Sequence, residues 1–151
     1  MLYRRYERED FPALYAIEEG CFQPPLRFSR AYMRGIIQGD SSATWIAEQN
    51  GCMAGFAIIE WLQHEGATVA YLQTIEVAAE RRRRGIAGAL LRHAEASARA
   101  AGAHAVWLHV DAENRAAIRL YERHGYIAQG REEHYYARSR AALVYRKALA
   151  A

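Results

Sequence analysis

Apolar and polar positions change period several times along this chain, and each change marks an element. Leu2 to Tyr6 predicts a short first strand, and Asp10 makes a good start for a helix in which Phe11, Leu14, Tyr15, Ile17 and Glu18 keep helical spacing up to Gly20. Gln23-Pro24-Pro25 interrupts as a loop, since proline restricts its own backbone and that of the residue before it. Ser29 then caps a second predicted helix running to about Gln38 and ended by Gly39-Asp40. From Ala43 the period becomes strand-like. Thr44–Gln49 and Met53–Gln63 read as strands around Asn50-Gly51, a strong hairpin signal, and a third strand follows His64-Glu65-Gly66 from about Thr68 to Ala78.

A clear helix spans Gly85 to Ala101, with Ile86, Leu90, Ala94, Ala98 and Ala101 as its apolar stripe and Gly102 as its stop. Ala105–Val110 is a continuous apolar run suited to a buried parallel strand. Asn114–His124 predicts a helix closed by Gly125, followed by strands near Tyr126–Gly130 and Ala141–Lys147. The expected order is β-α-α-β-β-β-α-β-α-β-β, a mixed α/β fold with hairpins first and a β-α-β crossover in the middle.

Length and composition narrow this picture. At 151 residues, 52% hydrophobic and 25% charged, the chain suits one domain over residues 1–151 with no linker. No apolar stretch reaches the ~20 residues of a membrane span, and the segment Met1–Asp10 lacks the apolar core of a signal peptide. A cytoplasmic protein with no membrane partner is expected. Cys21 and Cys52 have no metal or redox spacing and are expected as reduced, buried thiols. The net charge is +3, and of 20 Lys and Arg only Lys147 is lysine. Without a Gly-Lys pair there is no P-loop. Gly-x-Ser-x-Gly, His-Glu-x-x-His and paired Cys-x-x-Cys are absent as well, which leaves chemistry that needs neither a metal nor a covalent intermediate.

The candidate chemistry lies at a strand-to-helix junction, Thr74-Ile75-Glu76-Val77-Ala78-Ala79-Glu80-Arg81-Arg82-Arg83-Arg84-Gly85-Ile86-Ala87-Gly88. A helix start leaves backbone N–H groups free and carries the positive end of the dipole. Small residues at 85, 87 and 88 let a pyrophosphate approach those donors. A Rossmann turn requires Gly-x-Gly-x-x-Gly, which is missing. A solvated turn or a nucleic-acid patch is the competing reading of the arginines. Their place at a helix entrance with glycines behind favours phosphate.

Arg82-x-x-Gly85-x-Ala87 resembles the acetyl-CoA signature of the GCN5-related N-acetyltransferase (GNAT) superfamily, Gln/Arg-x-x-Gly-x-Gly/Ala. Asn114-Arg115-Ala116-Ala117-Ile118-Arg119-Leu120-Tyr121-Glu122-Arg123-His124-Gly125-Tyr126 is similar to that superfamily's Asn-x-x-Ala-x-x-Leu-Tyr-x-x-x-Gly-Phe block. Within it, Glu18-Glu19-Gly20-Cys21-Phe22 with its proline loop, and Glu132-Glu133-His134-Tyr135-Tyr136, look most like the N-terminal protein acetyltransferases, including the ribosomal-protein-alanine type. The resemblance implies a twisted sheet of about seven strands, splayed at strands 4 and 5 and flanked by about four helices. It also implies acetyl-CoA as co-substrate, with no metal.

By the same resemblance the main chain of Ile75, Glu76 and Val77 pairs with the pantetheine arm. Arg82, Arg83, Arg84, Gly85, Ile86, Ala87 and Gly88 hold the pyrophosphate, and Asn114 bonds the arm. Tyr121 occupies the general-acid position. Ribosomal-protein acetyltransferases of this type carry a glutamate where this chain has His109, whereas some N-terminal acetyltransferases use a tyrosine and a histidine holding a water, matched here by Tyr71 and His109. Glu76 is the competing base, although strict strand alternation separates it from Tyr71. Phe22, Pro24, Leu26, Tyr135 and Tyr136 are expected to form a slot for the acceptor. The acceptor class stays open between a peptide or protein N-terminus and a small amine such as a polyamine, amino acid or antibiotic. A non-catalytic acyl-CoA sensor is the reading outside catalysis, and no direct nucleic-acid partner is expected.

Overall fold

Hairpin geometry and one crossover generate a seven-stranded sheet. The computed structural model describes residues 1–150. The strands are β1 (Leu2–Arg5), β2 (Ser42–Gln49), β3 (Cys52–His64), β4 (Ala67–Val77), β5 (Ala105–Asp111), β6 (Ile127–Ala137) and β7 (Arg140–Ala148), in spatial order β1-β2-β3-β4-β5-β7-β6. Every neighbouring pair is antiparallel except β4 and β5. The helices are α1 (Phe11–Cys21), α2 (Arg30–Gln38), α3 (Ile86–Ala100) and α4 (Arg115–Arg123).

Each face of the sheet has its own core. Leu14, Met33 and Ile36 of α1 and α2 bury against Ile46, Phe56 and Ile58. On the other face Ile86, Leu90, Leu91, Ala94 and Ala98 of α3 pack on Ala57, Ile59, Leu72 and Val106, with Tyr121 of α4 in the same cluster. Behind α3, the buried Glu95 accepts from Tyr126 Oη at 2.8 Å and from Lys147 Nζ at 3.0 Å, tying helix to last strand. The Asn50-Gly51 turn takes the two positive φ values (54° and 76°) that such a hairpin requires.

Four expectations change. Asp10 sits at the start of α1 but does not cap it: its backbone is already helical, and its carboxylate accepts from Arg4 at 2.8 Å and from the Glu7 N–H at 2.7 Å. Ser29 does cap α2, accepting from Tyr32 N at 3.1 Å. The strand expected near Tyr126–Gly130 starts at Ile127 and continues to Ala137, through polar residues that an edge strand leaves in water. Cys52 is exposed at the hairpin rather than buried. Alternation along β4 is also broken: Leu72 pairs with Ile59 but Thr74 pairs with Ile58, so Gln73 is an extra residue. Tyr71, Thr74 and Glu76 consequently all lie on the α1/α2 face, opposite Glu60, Ile58 and Phe56.

The parallel pair holds at only two positions, Ala70 with Val106 and Tyr71 with Trp107, after which β4 and β5 diverge. Leu72 to Val77 thus present a strand edge with no β5 partner. This splay positions everything that follows.

Candidate active site

A cavity of about 670 Å³ opens along the unpaired end of β4, between the start of α3 and the side of α4. Ile75, Glu76 and Val77 form its strand wall; Arg82, Arg83, Gly85, Ile86, Ala87 and Gly88 form the turn and helix start. Gly85 has φ 77° with open space around it, so it is there for its backbone conformation. Gly88 serves close packing instead: a Cβ there would come 3.1 Å from Nε2 of His124 at the end of α4. Arg82 folds inward, donating to Val77 O at 3.1 Å and to Cys21 Sγ at 3.3 Å. Arg84 lies outside this lining.

The cavity wall also contains residues that the motif reading omits. Arg81, Cys21, Arg119 and Arg123 line it. Arg115, Arg119 and Arg123 recur every four residues, a stripe readable from helical spacing. Free helix N–H groups, guanidinium groups from two elements and an unpaired strand edge make a donor set that suits a diphosphate with an amide-bearing arm. Asn114 caps α4 through Oδ1, which accepts from Ala117 N at 3.1 Å, and leaves its amide nitrogen as the group that can reach a ligand.

A second, smaller cavity of about 90 Å³ lies on the α1/α2 side of the splay. Phe22, Leu26, Phe28 and Tyr136 supply its apolar wall, and Gln73, Thr74, His109 and Asp111 its polar one. Pro24 and Tyr135 are outside this lining. Tyr135 instead stacks flat on the His109 ring, with centroids 4.3 Å apart and planes 6° apart. The two cavities share Phe22, Ile75, Asn114, Ala117 and Tyr121. Tyr121 comes from the α3/α4 face and reaches both cavities through the splay. Burial pushes its hydroxyl above the usual tyrosine range, so the phenol holds its proton.

Tyr71 Oη lies 2.8 Å from His109 Nδ1, joining β4 to β5 just where they begin to part. Burial raises the Tyr71 hydroxyl as well. His109 Nε2 sits 3.2 Å from Glu132 Oε1, within ion-pair distance but without hydrogen-bond alignment. Glu76 is buried against α1: Thr74 Oγ1 donates to it at 2.8 Å, and burial, then the adjacent Glu18 carboxylate, hold it well above the usual carboxylate range. Glu18 in turn accepts from Phe28 N at 2.9 Å, fixing the loop that walls the small cavity. Nothing in helical spacing separates Glu18 from the apolar residues beside it, so its role as a loop anchor is not readable from the sequence alone.

Residues 11–126 match the Acetyltransferase (GNAT) family. The chain is 34% identical, over 86% of its length and 83% of the relative's, to the [ribosomal protein bS18]-alanine N-acetyltransferase of Escherichia coli strain K12. It superposes on the crystal structure of the Escherichia coli ribosomal-protein-S18-alanine N-acetyltransferase with a TM-score of 0.85 and 29% identity, covering 99% of this chain and 94% of that one. NAA60 of Arabidopsis thaliana with a bisubstrate analogue gives a TM-score of 0.83 at 23% identity, covering 97% of each chain, and shares the fold. The splayed sheet, the phosphate-ready helix start and these similarities agree: the chain belongs to the GNAT family of N-acetyltransferases.

Proposed function

We propose that the chain, acting as one domain over residues 1–151, transfers acetyl from acetyl-CoA to the N-terminal amine of a protein or peptide whose first side chain is short. The observation that carries this reading is the meeting of a cofactor-sized cavity and a small apolar cavity at Tyr121. A direct transfer needs its donor and acceptor in line at one point, and proximity of that kind supplies much of the rate.

In this mechanism the arm of acetyl-CoA pairs with the edge of Ile75, Glu76 and Val77, and its phosphates take Arg82, Arg83 and the N–H groups at Gly85–Gly88, with Arg119 and Arg123 opposite. The arginine run thereby serves a bound diphosphate rather than nucleic acid. The acceptor amine arrives as an ammonium and loses a proton toward Tyr71 and His109, which are already in contact. Its lone pair attacks the thioester carbonyl, a main-chain N–H of β4 stabilises the oxyanion, and as the C–S bond breaks Tyr121 gives its proton to the thiolate, while the second proton shed by the nitrogen as the amide forms restores the Tyr121 phenol. Glu76 holds a proton against Glu18 and Thr74 and is a poor acceptor of another. Phe22, Leu26, Phe28 and Tyr136 restrict the space for the first residue, which favours alanine-sized side chains over long ones. The similarity to enzymes named ribosomal-protein-alanine N-acetyltransferases supports the same class of acceptor.

The test is CoA release on peptides of varied first residue, free and N-terminally blocked, beside polyamines and amino acids, with Tyr121→Phe and His109→Ala in parallel. Turnover confined to free peptide N-termini and reduced by both substitutions is expected. Turnover on small amines alone would overturn the acceptor assignment.

A further inference from the structure

The hairpin strand β6 reaches into the site with one charged group that the mechanism above does not use. We infer that Glu132 is a positioning residue for acetyl transfer: it fixes His109 with its proton on Nε2 and balances the charge of the ring once it has taken the acceptor's proton. This rests on the reading of Tyr71 and His109 as the proton-accepting pair.

A neutral imidazole donates from one nitrogen and accepts at the other. Nδ1 lies 2.8 Å from Tyr71 Oη, and Nε2 is buried with Glu132 Oε1 at 3.2 Å. An ionised carboxylate only accepts, so it favours hydrogen on Nε2 and leaves the Nδ1 lone pair aimed at the Tyr71 hydroxyl. The opposite tautomer would donate to Tyr71 and could not receive from it. Tyr135, three residues further along the same strand, stacks 4.3 Å from the ring at 6°, which holds the ring plane while Glu132 closes the short distance. Competition for Glu132 is reduced beside it, because Arg131 is engaged with Glu133 at 2.6 Å.

The other groups around the ring do not duplicate this role. The titratable groups facing it are Tyr71 from β4 and Glu132 and Tyr135 from β6, and Tyr136 of β6 and Tyr121 of α4 line the same small cavity. Its partner on β7 is the apolar Val144, and Asp111 on its own strand is held by Arg140 at 2.7 Å.

The proton balance is then simple. An N–H bond of the acceptor ammonium breaks and an O–H bond forms on Tyr71, while the original Tyr71 proton moves to Nδ1. The ring becomes imidazolium, with Nε2–H facing the Glu132 carboxylate, and the positive charge has passed from acceptor to ring. After the acetylated product leaves, Nδ1 returns one proton through Tyr71 to water. Burial keeps Tyr71 a phenol throughout, able to receive one proton as it gives another. Glu132 has a side chain 51% exposed, so its carboxylate keeps contact with water and needs no buried partner.

The experiment is ¹⁵N NMR of the His109 ring in the full chain saturated with CoA, together with kcat/KM against pH on an alanine-first peptide. Wild type, Glu132→Gln, Glu132→Asp and His109→Ala are compared. The neutral ring should carry its proton on Nε2 in the wild type. Its titration midpoint should fall by about half a pH unit or more in Glu132→Gln and recover in Glu132→Asp. The kcat/KM plateau of Glu132→Gln should drop about three- to tenfold and its rising limb move to lower pH, with CoA affinity unchanged. A merely structural role would lower the plateau without moving the limb. An Nδ1-protonated ring in the wild type, or a midpoint that Glu132→Gln leaves in place, overturns the proposal. If the midpoint moves but His109→Ala keeps wild-type turnover, Glu132 sets a ring that is not the base, and the proposal fails together with the reading beneath it.

Discussion

Tyr121 is buried by α4's packing on the sheet yet lines both cavities, and burial keeps its proton on the hydroxyl. In the proposed mechanism a thiolate leaving beside it meets a protonated phenol. Tyr121→Phe removes that proton with little change in volume, so kcat should fall about 10²-fold or more while acetyl-CoA affinity holds; pre-steady-state CoA release against equilibrium binding separates the two. Glu76 gives a second residue-scale prediction, on stability. Its folded-state pKa is raised, so above the ordinary carboxylate range the unfolded chain has released a proton that the fold still holds. Stability therefore declines as pH rises through that window. Glu76→Gln should melt with the wild type near pH ~4 and a few degrees above it near pH ~8, by thermal unfolding at each pH.

At the scale of elements, α4 does two jobs on two faces. Its apolar side packs in the core through Ala117, Leu120 and Tyr121, while Arg119 and Arg123 face the large cavity. Arg119→Ala and Arg123→Ala should each weaken CoA binding about three- to tenfold, with the loss shrinking as salt rises, as calorimetry at two ionic strengths would show. Elements with a periodic apolar face were legible from the residues alone: the α3 stripe, the Asn50-Gly51 hairpin, the Ser29 cap. The bulge at Gln73 was not, because an inserted residue leaves no mark on composition or turn chemistry, and it reverses which side chains share a face. The far half of β6 was missed for a different reason. Arg131, Glu132, Glu133 and His134 have no apolar alternation to read, since the hairpin exposes them and pairing with β7 alone makes the strand.

Across the whole molecule the sheet is two wings joined by the short β4–β5 contact, and the large cavity lies in the gap. The wing beyond the gap is braced to α3 by Lys147, Glu95 and Tyr126. Lys147→Ala leaves the buried Glu95 carboxylate without its cation and should cost about 2–3 kcal/mol in chemical denaturation. With CoA in that gap, as proposed, CoA at about 100 times its dissociation constant should add about 2.7 kcal/mol to unfolding.

The most direct measurement of the central claim uses a peptide that begins with alanine and carries one internal lysine, acetylated with acetyl-CoA and mapped by fragmentation mass spectrometry. The acetyl group is expected on the α-amine, with the ε-amine untouched and a leucine-first peptide much slower. Acetyl on the lysine side chain, or equal rates for both first residues, would contradict it.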